Sequence, residues 1–153
     1  MHKISIIKHF SGSPGLRLLG LGPKLIPCNG MMELQKLLSN NTFWAVNRNQ
    51  QQLRKMLANS SAAVSLWKEK EMVGFGRATS DKIYRAVLWD IVIADHFQGI
   101  GLGSVMVNAL LENRSVKGVE KVYLMTTRSS DFYEQMNFKI EDKQTLLIKK
   151  MGI

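Results

Sequence analysis

The sequence predicts one domain of the α+β class, in which a mixed and mostly antiparallel sheet is flanked by about four helices. Three apolar, β-branched segments at residues 62–68, 72–79 and 84–94 are separated by short polar turns, a pattern typical of an antiparallel meander. The third segment leads through glycines and a helix to another strand at 120–127, and this helical crossover makes the two strands parallel. Because a chain of 153 residues can bury a core, we expect residues 1–153 to form a single domain.

The first 28 residues differ from the rest because they contain neither Asp nor Glu. Alternation at residues 3–8 predicts a first strand, and the glycines and prolines of residues 11–27 predict a loop. Disorder, if there is any, is expected within residues 1–28. The composition also suits a transit peptide, but arginine is scarce and no small-residue cleavage site is evident, so processing of this segment stays open.

Two short helices are predicted before the meander. Asn29 is a good N-cap for a helix at residues 31–38, and Asn49 can cap a helix at residues 50–57. The side chains of the first helix that are predicted to face the core are Met31, Leu34, Leu37 and Leu38.

The last third of the chain is predicted to alternate between helices and strands. Apolar spacing after the glycines predicts a helix that ends near Arg114. A final helix is expected at residues 129–136, and closing strands are expected within residues 138–148.

A glycine-rich stretch joins the third meander strand to its helix and gives the first indication of function. Its residues are Gln98, Gly99, Ile100, Gly101, Leu102, Gly103 and Ser104. Alternate glycines allow positive φ angles and close approach of a ligand, and the free amides at the helix start attract an anion. The stretch therefore predicts a phosphate-bearing ligand, although similar glycines also occur in strand-to-helix turns that bind nothing.

Two common phosphate-binding motifs fit this stretch poorly. A Walker loop would need Lys-Ser or Lys-Thr after the glycines, and neither is present. The dinucleotide fingerprint needs an acid at the end of the next strand, whereas Glu120 precedes that strand.

The remaining pattern, Gln-x-x-Gly-x-Gly with one more glycine at Gly99, resembles the acyl-CoA pyrophosphate loop of the GCN5-related N-acetyltransferase (GNAT) family. A second motif follows at the right distance, because residues 131–138 match the family's Phe-Tyr-Glu-x-x-Gly-Phe signature with Asn137 in place of glycine. Asn tolerates left-handed backbone geometry, so it can end that helix. Residues 73–81, with Trp89 and Asp90, look most like the cyanobacterial and plastid branch, some of whose members acetylate arylalkylamines such as serotonin, or protein amino groups.

The resemblance covers about residues 30–150 and implies where acetyl-CoA, the expected cosubstrate, would lie. The site would be the wedge between the strand that ends near Ile93 and the strand that starts at Lys121. The pantetheine arm would pair with backbone groups of Ile91, Val92 and Ile93, which could also stabilise an oxyanion. The pyrophosphate would contact main-chain amides of Gln98, Gly99, Ile100, Gly101, Leu102, Gly103 and Ser104.

The resemblance also suggests residues for direct attack of an amine on the thioester. Tyr133 would be the general acid, since a phenol of pKa near ~10 can protonate the leaving thiolate; alternatively it is a core tyrosine. Asp90, the only carboxylate in an apolar strand, is the candidate general base. It could instead bind the amine cation, or pair with Arg85 or Arg77 while water carries the proton.

The acceptor is expected to be a primary amine, which is either an arylalkylamine or a protein amino group, that is, a lysine side chain or an N-terminus. In the family, the first two helices often cover the acceptor site, so Phe43 and Trp44 could line an aromatic pocket there. Their other interpretation is ordinary core packing.

Composition limits the other functions that the chain could have. The net charge of +9 is scattered and is not interleaved with aromatic residues, which disfavours nucleic-acid binding. No apolar run approaches the ~20 residues of a membrane span, and no cluster has metal-ligand spacing, so neither a membrane nor a metal is expected. Cys28, the single cysteine, fits a reducing compartment.

Two expectations about the setting come from the resemblance alone. They are a cytoplasmic location, in a cyanobacterium or a plastid stroma, and a possible homodimer. A non-catalytic domain that binds CoA as a regulatory or interaction module stays open as an alternative, because a fold does not by itself give activity.

Overall fold

The computed structural model describes residues 3–152, which are built around one five-stranded sheet. The strands lie side by side in chain order: β1 (Ile4–His9), β2 (Ala62–Lys68), β3 (Glu71–Ser80), β4 (Arg85–Ile93) and β5 (Lys121–Leu124). The pairs from β1 to β4 are antiparallel, whereas β4 and β5 are parallel. The predicted meander and the predicted parallel pair are therefore confirmed.

Helices cover both faces of the sheet. They are α1 (Pro14–Leu19), α2 (Gly30–Asn41), α3 (Gln50–Ala58), α4 (Leu102–Leu111) and α5 (Ser130–Gln135). One core cluster joins α1, α2 and α3 to Trp67 and Phe75 of the sheet. The other packs α4 and α5 against Leu66, Val73 and Leu88. The described residues thus contain five α-helices, where the sequence predicts about four.

The additional helix, α1, lies where the sequence predicts a loop. It begins at a proline, which suits the first turn of a helix, and it ends at Gly20 in the left-handed conformation. A short 3-10 turn, Pro23–Leu25, follows it. The glycines and prolines of this stretch therefore mark the ends of very short elements that hydrophobic periodicity does not reveal.

The two predicted caps differ in outcome. Asn49 forms a capping box with Gln52 at the start of α3, which confirms the prediction. Asn29 precedes α2 as expected, but its backbone is left-handed and its side chain caps nothing. The four apolar residues predicted to face the core from α2 are buried, and this helix continues three residues beyond its predicted end.

The prediction of closing strands within residues 138–148 is wrong, because this segment forms no strand. β5 is only four residues long and offers a short template for pairing. Phe138 also turns back onto Tyr133, with ring centroids 5.8 Å apart. The segment then borders a cavity beside β5, and it leaves Leu146 and Leu147 exposed.

A hydrogen-bonded chain of polar side chains connects β1 and β2 and makes stability depend on pH. His9 Nε2 lies 2.8 Å from Ser65 Oγ, which also accepts a hydrogen bond from Trp67 Nε1 at 2.7 Å. Since Trp67 can only donate, every proton has an acceptor when the Ser65 hydroxyl donates to a neutral imidazole. Burial lowers the pKa of His9 from 6.5 to about 4.

We expect this histidine to destabilise the protein as the pH falls from about 6.5 to about 4. In that window the unfolded chain binds a proton that the folded chain does not, so the free energy of unfolding decreases with falling pH. From these pKa values the loss between pH 7 and pH 5 is about 2 kcal/mol. Denaturant titrations of wild type and His9→Gln at both pH values check this, and an equal loss in the variant would contradict it.

Candidate active site

The site begins where β4 and β5 separate. β5 pairs only with the first four residues of β4, from Arg85 to Leu88. Beyond Leu88 the edge of β4 has no partner on that side among the described residues, and a cavity of about 460 Å³ opens there. Its lining residues are Asn41, Ile91, Val92, Ile93, Phe97, Gln98, Gly99, Gly101, Gly103, Ser104, Ser129, Phe132 and Tyr133.

Two glycines of the loop hold conformations that suit close approach of a ligand. Gly99 and Gly101 have φ angles of 80° and 89°, and a Cβ on either would meet nothing within 4 Å. Val105 is the first residue of α4 whose amide bonds back to the preceding turn, at Gly101 O. The earlier amides of α4 therefore remain available at the mouth of the cavity, where they favour an anion.

Gly103 and Gln98 have structural partners instead. A Cβ on Gly103 would lie 3.1 Å from the ring of Phe132, so this glycine lets α5 pack closely on α4. The side chain of Gln98 donates to Ile93 O and to Asp95 Oδ1, which holds the loop against the end of β4. The Gln98 main-chain amide also donates, to Asp95 O at 3.4 Å, so the donors of Gln98 are engaged within the loop.

Eight of the ten predicted cofactor-binding residues line this one cavity. Ile100 is exposed and Leu102 packs on the core beneath α4, so neither side chain lines it. The sequence did not identify Asn41, Phe97, Ser129 or Phe132 as lining residues. Asn41 follows a run that reads as a helix end, and only the fold brings it to β4, where its Oδ1 accepts from Asp95 N at 3.0 Å.

A second, larger cavity of about 770 Å³ lies on the other side of Tyr133. Most of its wall is apolar and aromatic, with Trp89, Tyr123 and Phe138 among the lining residues. Two exposed carboxylates, Glu134 and Glu141, also border it. Tyr133 is the one residue that lines both this cavity and the glycine-loop cavity.

The end of α5 fixes the position of Tyr133. Phe138 N donates to Tyr133 O and Asn137 N donates to Glu134 O, both at 3.0 Å, which is a Schellman motif. Asn137 has a φ of 70°, so the predicted left-handed terminator is confirmed. Within residues 3–152 the Tyr133 hydroxyl makes no hydrogen bond, and burial raises the pKa of Tyr133 above its usual 10.

Asp90 has no free carboxylate oxygen. Its Oδ2 accepts from Arg77 Nε at 2.7 Å and its Oδ1 accepts from Arg48 Nη1 at 3.0 Å, and its side chain is only 6% exposed. The geometry favours the interpretation in which Asp90 pairs with Arg77, whereas Arg85 pairs with the exposed Glu120. Asp90 also lines neither of the two cavities, so this arrangement does not favour the roles of general base and amine ligand.

The two aromatic residues after α2 fit neither of their interpretations. Phe43 and Trp44 contact each other edge to face, with exposed fractions of 72% and 48%. They are therefore not in the core, and neither of them lines either cavity.

Residues 3–152 lack the features of a metal site and of a membrane-spanning helix. They contain no group of three His, Cys, Asp or Glu side chains that could hold a metal ion. They also contain no helix of the length and apolar character that a membrane crossing requires.

Comparison with known proteins gives consistent results. Residues 39–140 match the family model for the acetyltransferase (GNAT) domain. An uncharacterized N-acetyltransferase of Prochlorococcus marinus, ycf52-like, is 31% identical over 118 residues, which are 74% of this chain and 64% of that protein. The chain thus spans less than two thirds of that relative.

A second relative and a solved structure are also similar to this chain. Serotonin N-acetyltransferase 2, chloroplastic, of Oryza sativa is 30% identical over 102 residues, which are 61% of this chain and 50% of that protein. Among solved structures, a GNAT family acetyltransferase of Streptococcus pneumoniae superposes with a TM-score of 0.67 at 20% identity, covering 97% of this chain and all of the other.

Proposed function

The chain belongs to the GNAT family of acetyltransferases, and from that premise we propose that it transfers the acetyl group of acetyl-CoA to a primary amine. The observation that carries the proposal is the position of Tyr133 between two cavities. One cavity has features that suit a phosphate-bearing acyl donor, and the other suits an acceptor. The acetyl group of the donor and the amine of the acceptor would then meet at the phenol of Tyr133.

The donor fits the glycine-loop cavity. The open space at Gly99 and Gly101 lets a pyrophosphate reach the main-chain amides that begin α4. The unpaired edge of β4 at Ile91, Val92 and Ile93 offers backbone groups to the amide-containing arm of the donor. Amides on this edge could also donate to the oxyanion that develops during attack.

Direct attack in a ternary complex requires the amine nitrogen to lose protons and the leaving thiolate to gain one. The amine nitrogen bonds to the thioester carbon, the carbon–sulfur bond then breaks, and the Tyr133 hydroxyl protonates the departing thiolate. Its raised pKa keeps Tyr133 protonated through the neutral range, as a proton donor requires. Because Asp90 is engaged by two arginines, water takes the proton that the ammonium loses before attack and the second proton that the nitrogen loses once it is bonded to the carbonyl carbon; one of the two then restores the Tyr133 hydroxyl and the other is released to solvent.

The second cavity supports an arylalkylamine as the acceptor. Its aromatic wall suits a ring, and its border carries two carboxylates, Glu134 and Glu141, against one lysine, Lys139, a balance that favours a cation. The name of the Oryza relative, a chloroplastic serotonin N-acetyltransferase, agrees with this choice and with a plastid or cyanobacterial setting.

An acceptor panel tests the proposal. With acetyl-CoA, release of the free CoA thiol should be faster for tryptamine and serotonin than for a lysine peptide or a peptide N-terminus. We expect kcat/KM to be at least about tenfold higher for the arylalkylamines, as one ring in an apolar pocket contributes 1.4 kcal/mol or more. Binding of acetyl-CoA without thiol release from any amine would instead indicate a non-catalytic CoA-binding domain.

A further inference from the structure

We propose that Asp90 is a positioning residue which occupies a bulge in β4 and, through its carboxylate, clamps residues 42–49 beside the glycine-loop cavity. The inference rests on the proposed function for its kinetic consequences, but the clamp itself can be tested without activity. It assigns Asp90 a task that needs its carboxylate and its backbone conformation and that involves no proton transfer.

The bulge is evident from the strand register. Phe75 pairs with Val92 and Arg77 pairs with Trp89, so Gly76 alone faces both Asp90 and Ile91. Asp90 has a φ of 54°, which is uncommon for a residue inside a strand and is the conformation that a bulge residue often requires. The bulge shifts the alternation of side chains, because Leu88 before it and Ile91 after it both face α4.

This shift has two consequences for the site. Ile91, Val92 and Ile93, which follow the bulge, form the β4 wall of the glycine-loop cavity. The same shift directs the Asp90 carboxylate toward Arg48, on the face that α2 and α3 cover. A single backbone irregularity thus sets the cavity wall and the site of the clamp.

Two contacts connect the 42–49 segment and its N-terminal flank to β4 and to the turn that follows β4. Arg48, at one end of the 42–49 segment, reaches Asp90 just before the cavity wall. Asn41, just before the other end, accepts from Asp95 N just after that wall. The segment is therefore fixed on both sides of Ile91, Val92 and Ile93, and it carries the exposed Phe43 and Trp44.

Arg77 holds Asp90 from within the sheet. Its guanidinium also donates to Ser60 Oγ and lies 5.8 Å from the Trp89 ring centroid, so it stays in place when Arg48 is removed. Arg48 is one third exposed, whereas Arg77 is largely buried. Replacement of Arg48 therefore releases the segment with the least damage to the core.

Hydrogen exchange tests the clamp without activity. In Arg48→Met and in Asp90→Gly, amides of the 42–49 segment should exchange at least about tenfold faster, because local opening becomes easier. Exchange in α4 should not change. Arg85→Met is the matched control, since it removes an arginine whose partner, Glu120, is exposed. Unchanged exchange in Arg48→Met would overturn the proposal.

Kinetics separate positioning from proton transfer. Glycine tolerates the positive φ angle, so Asp90→Gly should keep the bulge, lower kcat by less than about tenfold, and leave the pH–rate profile at the same midpoints. Asp90→Ala, which disfavours the bulge, should lose more activity than Asp90→Gly. A loss of about 10²–10⁴ in Asp90→Gly with the acid limb of the profile abolished would overturn the proposal and make Asp90 the base.

The outcomes distinguish this inference from the proposed function. If wild type transfers acetyl groups to no amine, the proposed function fails, and the exchange experiment still decides on the clamp. If Asp90→Gly does not fold, Asp90→Asn replaces it, because Asn also tolerates a left-handed backbone. That variant should likewise speed exchange in the 42–49 segment, and slow exchange as in wild type would count against the clamp.

Discussion

Replacement of Tyr133 by phenylalanine is expected to lower kcat for acetyl transfer by about 10²–10⁴, the usual contribution of a general acid. The phenol lines both cavities, its hydroxyl is free of hydrogen bonds within residues 3–152, and burial keeps it protonated at neutral pH. Phenylalanine keeps the edge-to-face contacts with Phe132 and Phe138, so packing should be preserved. Steady-state kinetics with the preferred amine measure the effect.

Two controls make the Tyr133 result specific. The variant should bind acetyl-CoA with an affinity close to that of wild type, since the loop amides are untouched. Tyr84→Phe is the matched substitution, because Tyr84 is exposed and lines neither cavity, and its kcat should stay within about threefold of wild type. A Tyr133→Phe enzyme of nearly normal kcat would show that the leaving thiolate takes its proton from elsewhere.

Replacement of Gly101 by alanine is expected to weaken acetyl-CoA binding by about 5–30-fold. In the free variant the loop would relax away from the φ of 89°, and returning a residue with a Cβ to that angle on binding costs roughly 1–2 kcal/mol, which corresponds to this range of affinity. The added methyl group would also enter the open space through which a ligand reaches the amides. Isothermal titration calorimetry with acetyl-CoA gives the dissociation constants.

The control for this loop is a glycine without its special geometry. Gly118 also has open space around its Cβ position, but its φ is not positive. Gly118→Ala should therefore bind acetyl-CoA like wild type. Equal affinity in both variants would mean that the loop is a structural turn and that the donor lies elsewhere.

The order and direction of the strands could be predicted because local signals determine them. Short polar turns gave the meander, and the helix between β4 and β5 required a parallel pair. The glycine loop and the Phe-Tyr-Glu signature were visible as motifs. The closing strands could not be predicted reliably. Their residues alternate suitably, but strand formation also needs a pairing partner, and β5 is too short to provide one.

The bulge at Asp90 could not be recognised from the sequence. Ala86, Leu88, Ile91 and Ile93 all face α4, and alternation does not reveal the change of parity between Leu88 and Ile91 because residues 86–93 are apolar on both faces apart from Asp90. The Arg48–Asp90 ion pair joins residues 42 positions apart, so no local pattern could predict it. For the same reason the sequence could not reveal that two arginines contact Asp90, the observation on which its proposed positioning role rests.

The most direct test of the account is the thermal midpoint of the protein with and without acetyl-CoA. A ligand that binds only the folded state at 100 times its dissociation constant adds about 2.7 kcal/mol, which should raise the midpoint of a chain this size by roughly 5–10 °C. We predict such a rise for wild type and Tyr133→Phe and a smaller one for Gly101→Ala. No rise for wild type at ~1 mM acetyl-CoA, the upper end of ordinary KM values, would contradict the account.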